Sequence, residues 1–203
     1  MASDSYHHGD LKSALLRTGL QIVDAEGAAG LTLQKAASRH GVSAPAVYRH
    51  YASKEELLAA IAAEGFHMLR RALEENLARR GMDSRVFFRR SVESYIELAI
   101  SRPHIYELMF GGIIPDPSAH PELRVAGHAA FEQLLATIRR CQQDGLIRKT
   151  RPLVLAFHVW SQMHGFVMLQ LSGQNPLVAR DDRQMRNLVG MMVQLLRQGL
   201  DAN

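Results

Sequence analysis

Apolar residues return every three or four positions along almost the whole chain, starting with Leu11, Leu15, Leu16, Ile22 and Val23. That interval matches one face of a helix with 3.6 residues per turn, and no alternating strand pattern or Asn-Gly hairpin signal interrupts it. The pattern predicts an all-α fold of about nine helices.

Cap and stop residues mark where each helix should begin and end. Asp10 is the expected N-cap of a first helix that runs to Glu26 and stops at Gly27. Thr32 caps a helix over 33–40 closed by Gly41, and Ser43 caps a third with Pro45 in its first turn, where a missing N–H is harmless. Ser53 opens a fourth helix, with Glu56 three residues on as its reciprocal capping partner. Leu57, Leu58, Ile61, Met68, Leu69 and Leu73 carry that helix to Arg80, a rod of roughly 40 Å. Further helices are expected over 83–101, 103–110, 121–144, 152–171 and 181–200, and the Gly- and Pro-rich stretch 111–120 reads as the clearest loop.

Residues 31–54 stand apart. Two short helices joined at Gly41, with Val42 as an apolar plug, have the layout of a helix-turn-helix. Ala36 and Ala37 allow close approach of the two helices. Val47 and Tyr51, four apart, face inward together and leave Pro45, Tyr48 and Arg49 on the outer face. The stretch holds Lys35, Arg39, Arg49 and Lys54 and no acidic residue, so its charge equals the +4 of the entire chain. Such a concentration points to a phosphate-bearing partner.

Here the sequence resembles the TetR family of bacterial one-component transcriptional regulators. The resemblance spans residues 6–61 through Y-H-H-G-D-L, the G-L-T entry to the second helix, G-V-S, V-Y-R-H-Y and S-K-E-E-L-L. It makes His7 and His8 family sequence rather than a purification tag. It implies a double-stranded operator DNA partner, with Gln34, Ala44, Pro45 and Tyr48 at positions used toward bases. Thr32, Lys35, Ala46, Arg49, His50 and Lys54 match positions at or near phosphates. Lys54 and the N-terminus of the fourth helix together suit one phosphate, because free N–H groups and the helix dipole favour an anion. Ala44 and Ala46 offer only methyl groups, which leaves base-edge hydrogen bonds to Gln34, Tyr48 and Arg49.

The run H-V-W-S-Q-M-H-G-F-V-M-L is similar to the Trp-x-x-x-His-Gly signature of one TetR C-terminal subclass. The family implies an effector pocket enclosed by the fifth to seventh helices with the start of the eighth, and a homodimer formed by the last two. Met185, Leu188, Met191, Met192, Leu195 and Leu196 give the ninth helix an apolar face fit for such packing. Trp160 and His164 share a face; they suit a mixed apolar and hydrogen-bonding effector wall, and equally suit a packed core. Tyr106, Met109, Phe110 and Phe131 are further effector candidates with the same two readings. Because the eighth helix has no Arg or Lys beyond Arg151, the expected small-molecule effector is mainly apolar with one or two hydrogen-bonding groups.

Other chemistries find no foothold. His158 and His164 are six apart and on different helix faces, and no His-Glu-x-x-His pattern occurs, so no metal and no cofactor are expected. No Gly-x-Ser-x-Gly elbow, phosphate-binding glycine loop or apolar-set carboxylate pair suggests an enzyme. Residues 153–179 lack Asp, Glu, Lys and Arg, but polar residues from His158 to Gln174 interrupt them. The expectation is a helix buried in protein and no membrane partner. The single Cys141 cannot form an internal disulfide and no leader pattern opens the chain, which points to the cytoplasm.

A chain of 203 residues, 47% apolar, can bury a sizeable core. The expected division is a helix-turn-helix DNA-binding domain over 1–55 and an effector-binding and dimerisation domain over 56–203. The expected function is ligand-responsive repression at a near-palindromic operator. A carrier or enzyme of the same fold without operator binding, or a repressor without a ligand, are the alternatives.

Overall fold

Helices begin where a side chain can satisfy the amides that the first turn leaves open. Thr32 Oγ1 accepts from the Lys35 amide at 3.0 Å, and Asp181 accepts from the Gln184 amide at 2.7 Å. Asp83 Oδ1 accepts from the amides of Arg85 and Val86 at 2.9 and 3.3 Å. The Glu56 amide donates to Ser53 Oγ at 3.1 Å while Glu56 Oε2 accepts from the Ala52 amide at 2.6 Å. The reciprocal cap is present, reaching back one residue further than expected.

In the computed structural model, which describes residues 8–78, 81–174 and 181–200, these starts open four of the nine α-helices, and no β-strand occurs among the described residues. The helices are α1 (His8–Glu26), α2 (Leu33–Arg39), α3 (Ala44–Tyr48), α4 (Lys54–Ala78) and α5 (Ser84–Ser101). Then follow α6 (Pro103–Phe110), α7 (Pro121–Gln143), α8 (Pro152–Leu171) and α9 (Asp182–Gln198). Tyr6, His7 and Arg80, named above, lie outside the described residues.

Two cap expectations are corrected. Helix α1 already includes His8, so Asp10 lies within the helix and is not its N-cap; apolar spacing cannot register a helix that extends ahead of its first apolar position. Ser43 makes no side-chain cap bond. Pro45 has no N–H to offer, and the Ala46 amide goes to the Ser43 carbonyl at 2.9 Å instead.

The chain forms two compact units. The first comprises residues up to Phe66 together with Arg102–Gly127; the second comprises His67–Ser101 and the residues from His128 onward. The division expected at 55/56 is one of function, and the compact units are drawn differently, since α6 and the first two turns of α7 share a core with α1 to α3. That core holds Leu15, Ile22, Leu31, Val47, Leu57 and Ile61 with Ile105, Leu108, Ile114 and Leu123. Close approach of α1 to α4 requires Gly19, where a Cβ would lie 2.8 Å from Ile61 Cδ1. Helix α6 is tied to α1 by Arg102 Nη1 on Asp24 Oδ2 at 2.6 Å and by His104 Nδ1 at 3.0 Å from the Asp24 carbonyl oxygen.

The turn between α2 and α3 is a closed hydrogen-bonded unit. Gly41 donates to the Ser38 carbonyl at 3.3 Å and Val42 to the Ala37 carbonyl at 3.2 Å, the paired bonds of a Schellman motif. Gly41 has φ +61, the left-handed conformation that the motif needs. His40 Nε2 lies 2.6 Å from Thr18 Oγ1, which ties the turn to α1.

In the second unit α5 packs against α8 and α9. Its core includes Phe87, Phe88, Val92, Ile96, Ile138, Ala156 and Val159. Two of its buried amide side chains are partnered: Asn76 Nδ2 donates to Ser94 Oγ at 3.0 Å, and Gln142 Nε2 donates to the carbonyls of Arg148 and Thr150 at 2.9 and 2.8 Å. Burial pushes the Cys141 thiol up to about 12, so it is a packing group. The buried eighth helix is a further correction. Only 28% of the most apolar stretch of α8 is buried within the chain, and Leu153, Val154, Phe157 and Leu169 are exposed.

A Cβ at Gly41 would meet nothing within 4 Å, so substitution there isolates the backbone cost. Gly41→Ala should lower the unfolding free energy by about 1–2 kcal/mol in a urea titration, and Gly41→Asn by less.

Candidate nucleic-acid interface

Helix α3 has five residues, too few to be stable unaided, and takes its position from what it buries. Val47 is fully buried and Tyr51, just beyond the helix, is nearly so. The Tyr51 hydroxyl donates to the Lys12 carbonyl at 3.4 Å, and Lys12 Nζ stands 5.7 Å from the ring centroid. Burial, with the carboxylates of Glu122 and Glu56, pushes the phenol up to about 12, so it remains a donor.

With Val47 and Tyr51 inward, the opposite face points to solvent. Tyr48 is 56% exposed, and Pro45 and Arg49 are exposed beside it. Thr32 and Gln34 are exposed at the start of α2, while His50 and Lys54 are half-buried after α3 and at the start of α4. The cap of α4 uses the Ala52 and Glu56 amides. The Lys54 and Glu55 amides carry no intrachain hydrogen bond among the described residues, and Lys54 is itself the first residue of α4. That is an anion-binding arrangement.

Two expected contacts differ. Ala46 turns its methyl into the core and is 8% exposed, so only its backbone can reach a phosphate. Lys35 is engaged by an acid from outside the basic block: its Nζ donates to Glu26 Oε2 at 2.5 Å and to the Gly30 carbonyl at 3.4 Å. The Lys35 hydrogen bond holds the Glu26 carboxyl below its ordinary value. Glu26 lies on α1, nine residues away, where no local pattern marks it as a partner. Ala44 opens α3.

The six effector candidates fall three to each unit. In the first, Tyr106 is buried with its ring 4.8 Å from that of Phe110. Met109 and Phe110 line a cleft of about 430 Å³ with Phe66 and Leu123. In the second, Trp160 stands 6.0 Å from Phe131 and 6.0 Å from His164, ring centroid to ring centroid. Trp160 Nε1 donates to the hydroxyl of Tyr95 at 3.1 Å, a partner that reads in the sequence as one more apolar position of α5. Burial lowers the pKa of His164, favouring its neutral ring. Among the described residues no three His, Cys, Asp or Glu side chains gather to hold a metal ion.

Residues 15–61 match the model of bacterial regulatory proteins of the tetR family, and residues 88–196 match that of a tetracyclin repressor-like C-terminal domain. The HTH-type transcriptional regulator Rv1816 of Mycobacterium tuberculosis is 32% identical, over 76% of this chain and 77% of that one. A protein of unknown function from Rhodococcus sp. RHA1 superposes with a TM-score of 0.82 at 26% identity, covering 98% of this chain and 100% of that one. AibR, solved with isovaleryl coenzyme A and operator DNA, has a TM-score of 0.63 at 20% identity, covering 89% of this chain and 97% of that one.

The inward and outward faces of this segment should separate cleanly in stability measurements. Tyr48→Ala and Arg49→Ala should change the unfolding free energy by no more than about 0.5 kcal/mol. Tyr51→Ala should lower it by about 3–5 kcal/mol, the range for truncating a large buried aromatic, as read by chemical denaturation followed by circular dichroism.

Proposed function

This chain belongs to the tetR family of bacterial regulatory proteins and is a DNA-binding transcriptional regulator; from that premise we propose that it is a ligand-responsive repressor acting as a homodimer on a near-palindromic operator. The observation that carries the reading is the outward face of α3, with Pro45, Tyr48 and Arg49 exposed, followed in the chain by the open amides and Lys54 at the start of α4. Residues 1–55 are the DNA-reading part. Gln34, Tyr48 and Arg49 supply base-edge hydrogen bonds, and Thr32, His50 and Lys54 engage phosphates. Lys35, already held by Glu26, contributes less than its charge suggests.

The dimer reading draws on the uncovered apolar residues of the second unit. Leu153, Val154 and Phe157 on α8 and Met191 and Leu195 on α9 are all more than half exposed, and a patch of that kind on an isolated chain marks an association surface. A second copy covering α8 and α9 buries them. Two heads related by that symmetry would enter successive major grooves roughly 34–36 Å apart. The effector is small and mainly apolar, and of the candidate residues Met109 and Phe110 border a cleft able to admit it. An effector that favours a head spacing unsuited to DNA lowers operator affinity by its preference for that state.

A mobility-shift assay with DNA flanking the encoding gene tests the reading directly. Lys54→Ala should weaken binding to operator and random DNA alike and reduce the slope of log K against log salt by about 0.9. Tyr48→Ala should instead lower discrimination between operator and random DNA by about 1–3 kcal/mol.

Leu195 is 69% exposed in the single chain, so a charge there leaves the fold of one protomer intact. Leu195→Asp should sediment as a monomer at micromolar concentration and lose operator binding at the same time, while the unaltered protein sediments as a dimer.

A further inference from the structure

The cleft of the first unit has an asymmetric chemistry. Phe66 from α4, Leu108, Met109 and Phe110 from α6, and Leu123 from α7 form apolar walls. The Phe66 and Phe110 rings meet edge to face at 5.2 Å, and Met109 adds an adaptable thioether. Arg124, in the second turn of α7, is the one charged residue of the lining, and it forms no ion pair among the described residues. The other polar side chain, Ser118, already donates its hydroxyl to Asp116 at 2.5 Å. Gly127 keeps one wall open, since a Cβ there would stand 3.6 Å from the Phe66 ring.

We infer that this cleft binds an aliphatic monocarboxylate, with its hydrocarbon against Phe66, Met109 and Phe110 and its carboxylate on the Arg124 guanidinium. A volume of about 430 Å³ is in the range of small-molecule sites. A planar guanidinium donates two parallel hydrogen bonds to a carboxylate, and a single one balances a single negative charge. No acidic side chain lines the cleft, so a cationic ligand would find no counter-charge there.

Occupancy bears on regulation through α6, a step that rests on the repressor reading above. The ligand would touch residues 108–110, while Arg102, the N-cap residue of the same helix, and His104 in its first turn hold Asp24 of α1. Helix α1 in turn holds the helix-turn-helix through Thr18 and His40.

The test is isothermal titration of the full-length, DNA-free protein with hexanoate, octanoate and decanoate, and with decanol and decylamine, all below their aggregation concentrations. Affinity should rise about fourfold for each added methylene until the cleft is filled. Decanol and decylamine should bind at least tenfold more weakly than decanoate. Arg124→Gln, a surface change, should bring decanoate to the level of decanol with no shift in melting temperature, and Gly127→Val should remove binding of both. No decanoate binding, equal binding of the three ten-carbon ligands, or an unchanged Arg124→Gln protein would overturn the proposal. Protein that takes decanoate but no operator would overturn the repressor reading and leave this site standing; protein that takes operator but no carboxylate would do the reverse.

Discussion

Burial of Val47 and Tyr51 is the constraint on which the reading surface depends. A five-residue helix cannot recover the entropy of its own nucleation, so its orientation is dictated by the side chains it sinks into the core of the first unit. Once those two are inward, helical geometry leaves no choice about Pro45, Tyr48 and Arg49. The turn before α3 is equally determined, because its carbonyls are closed by the amides of Gly41 and Val42. Presentation of that outward face therefore rests on a few apolar contacts behind it, and damage to those contacts would disorder the face without altering any atom on it.

Much of this was legible in the sequence because it is local. Thr32, Ser53, Asp83 and Asp181 bond to amides two or three residues away, or four in the case of the Glu56 partner, and the spacing of Val47 and Tyr51 follows from one helical turn. What was hidden is what tertiary structure adds. The Lys35 partner comes from α1, the Trp160 partner from α5, and the Arg102 partner is 78 residues away in the chain. Ala46 could not be assigned to core or surface, since alanine suits both. The absence of charge in α8 suggested a buried helix, but hydropathy alone does not tell burial within a chain from an apolar face that the chain itself leaves exposed, as at Leu153 and Phe157.

Electrostatics divide along the same line. Counting charges by segment made residues 31–54 uniformly basic, yet the field at the surface depends on which acids fold against them, and Glu26 removes one of the four. Arg39, Arg49 and Lys54 then carry the positive potential, with the open amides of α4 adding partial charge that no residue count includes. The second unit treats its cations differently: the Arg140 guanidinium lies 4.1 Å from the Phe87 ring centroid and donates to the Met82 carbonyl, holding helices together.

The discontinuous first unit also constrains how the protein is made. Its core is completed by Ile105, Leu108, Ile114, Leu123 and Ala126, which a ribosome adds only after the intervening residues 67–101 have been synthesised. The N-terminal head, although first to emerge, has to wait with Leu15, Ile22 and Ile61 incompletely covered until residue 127 is free of the exit tunnel. Closing that long intervening loop places the unit's assembly late and slow relative to an ordinary three-helix head. Expression of residues 1–66 alone would accordingly yield a chain with an exposed apolar seam rather than a portable DNA-binding module.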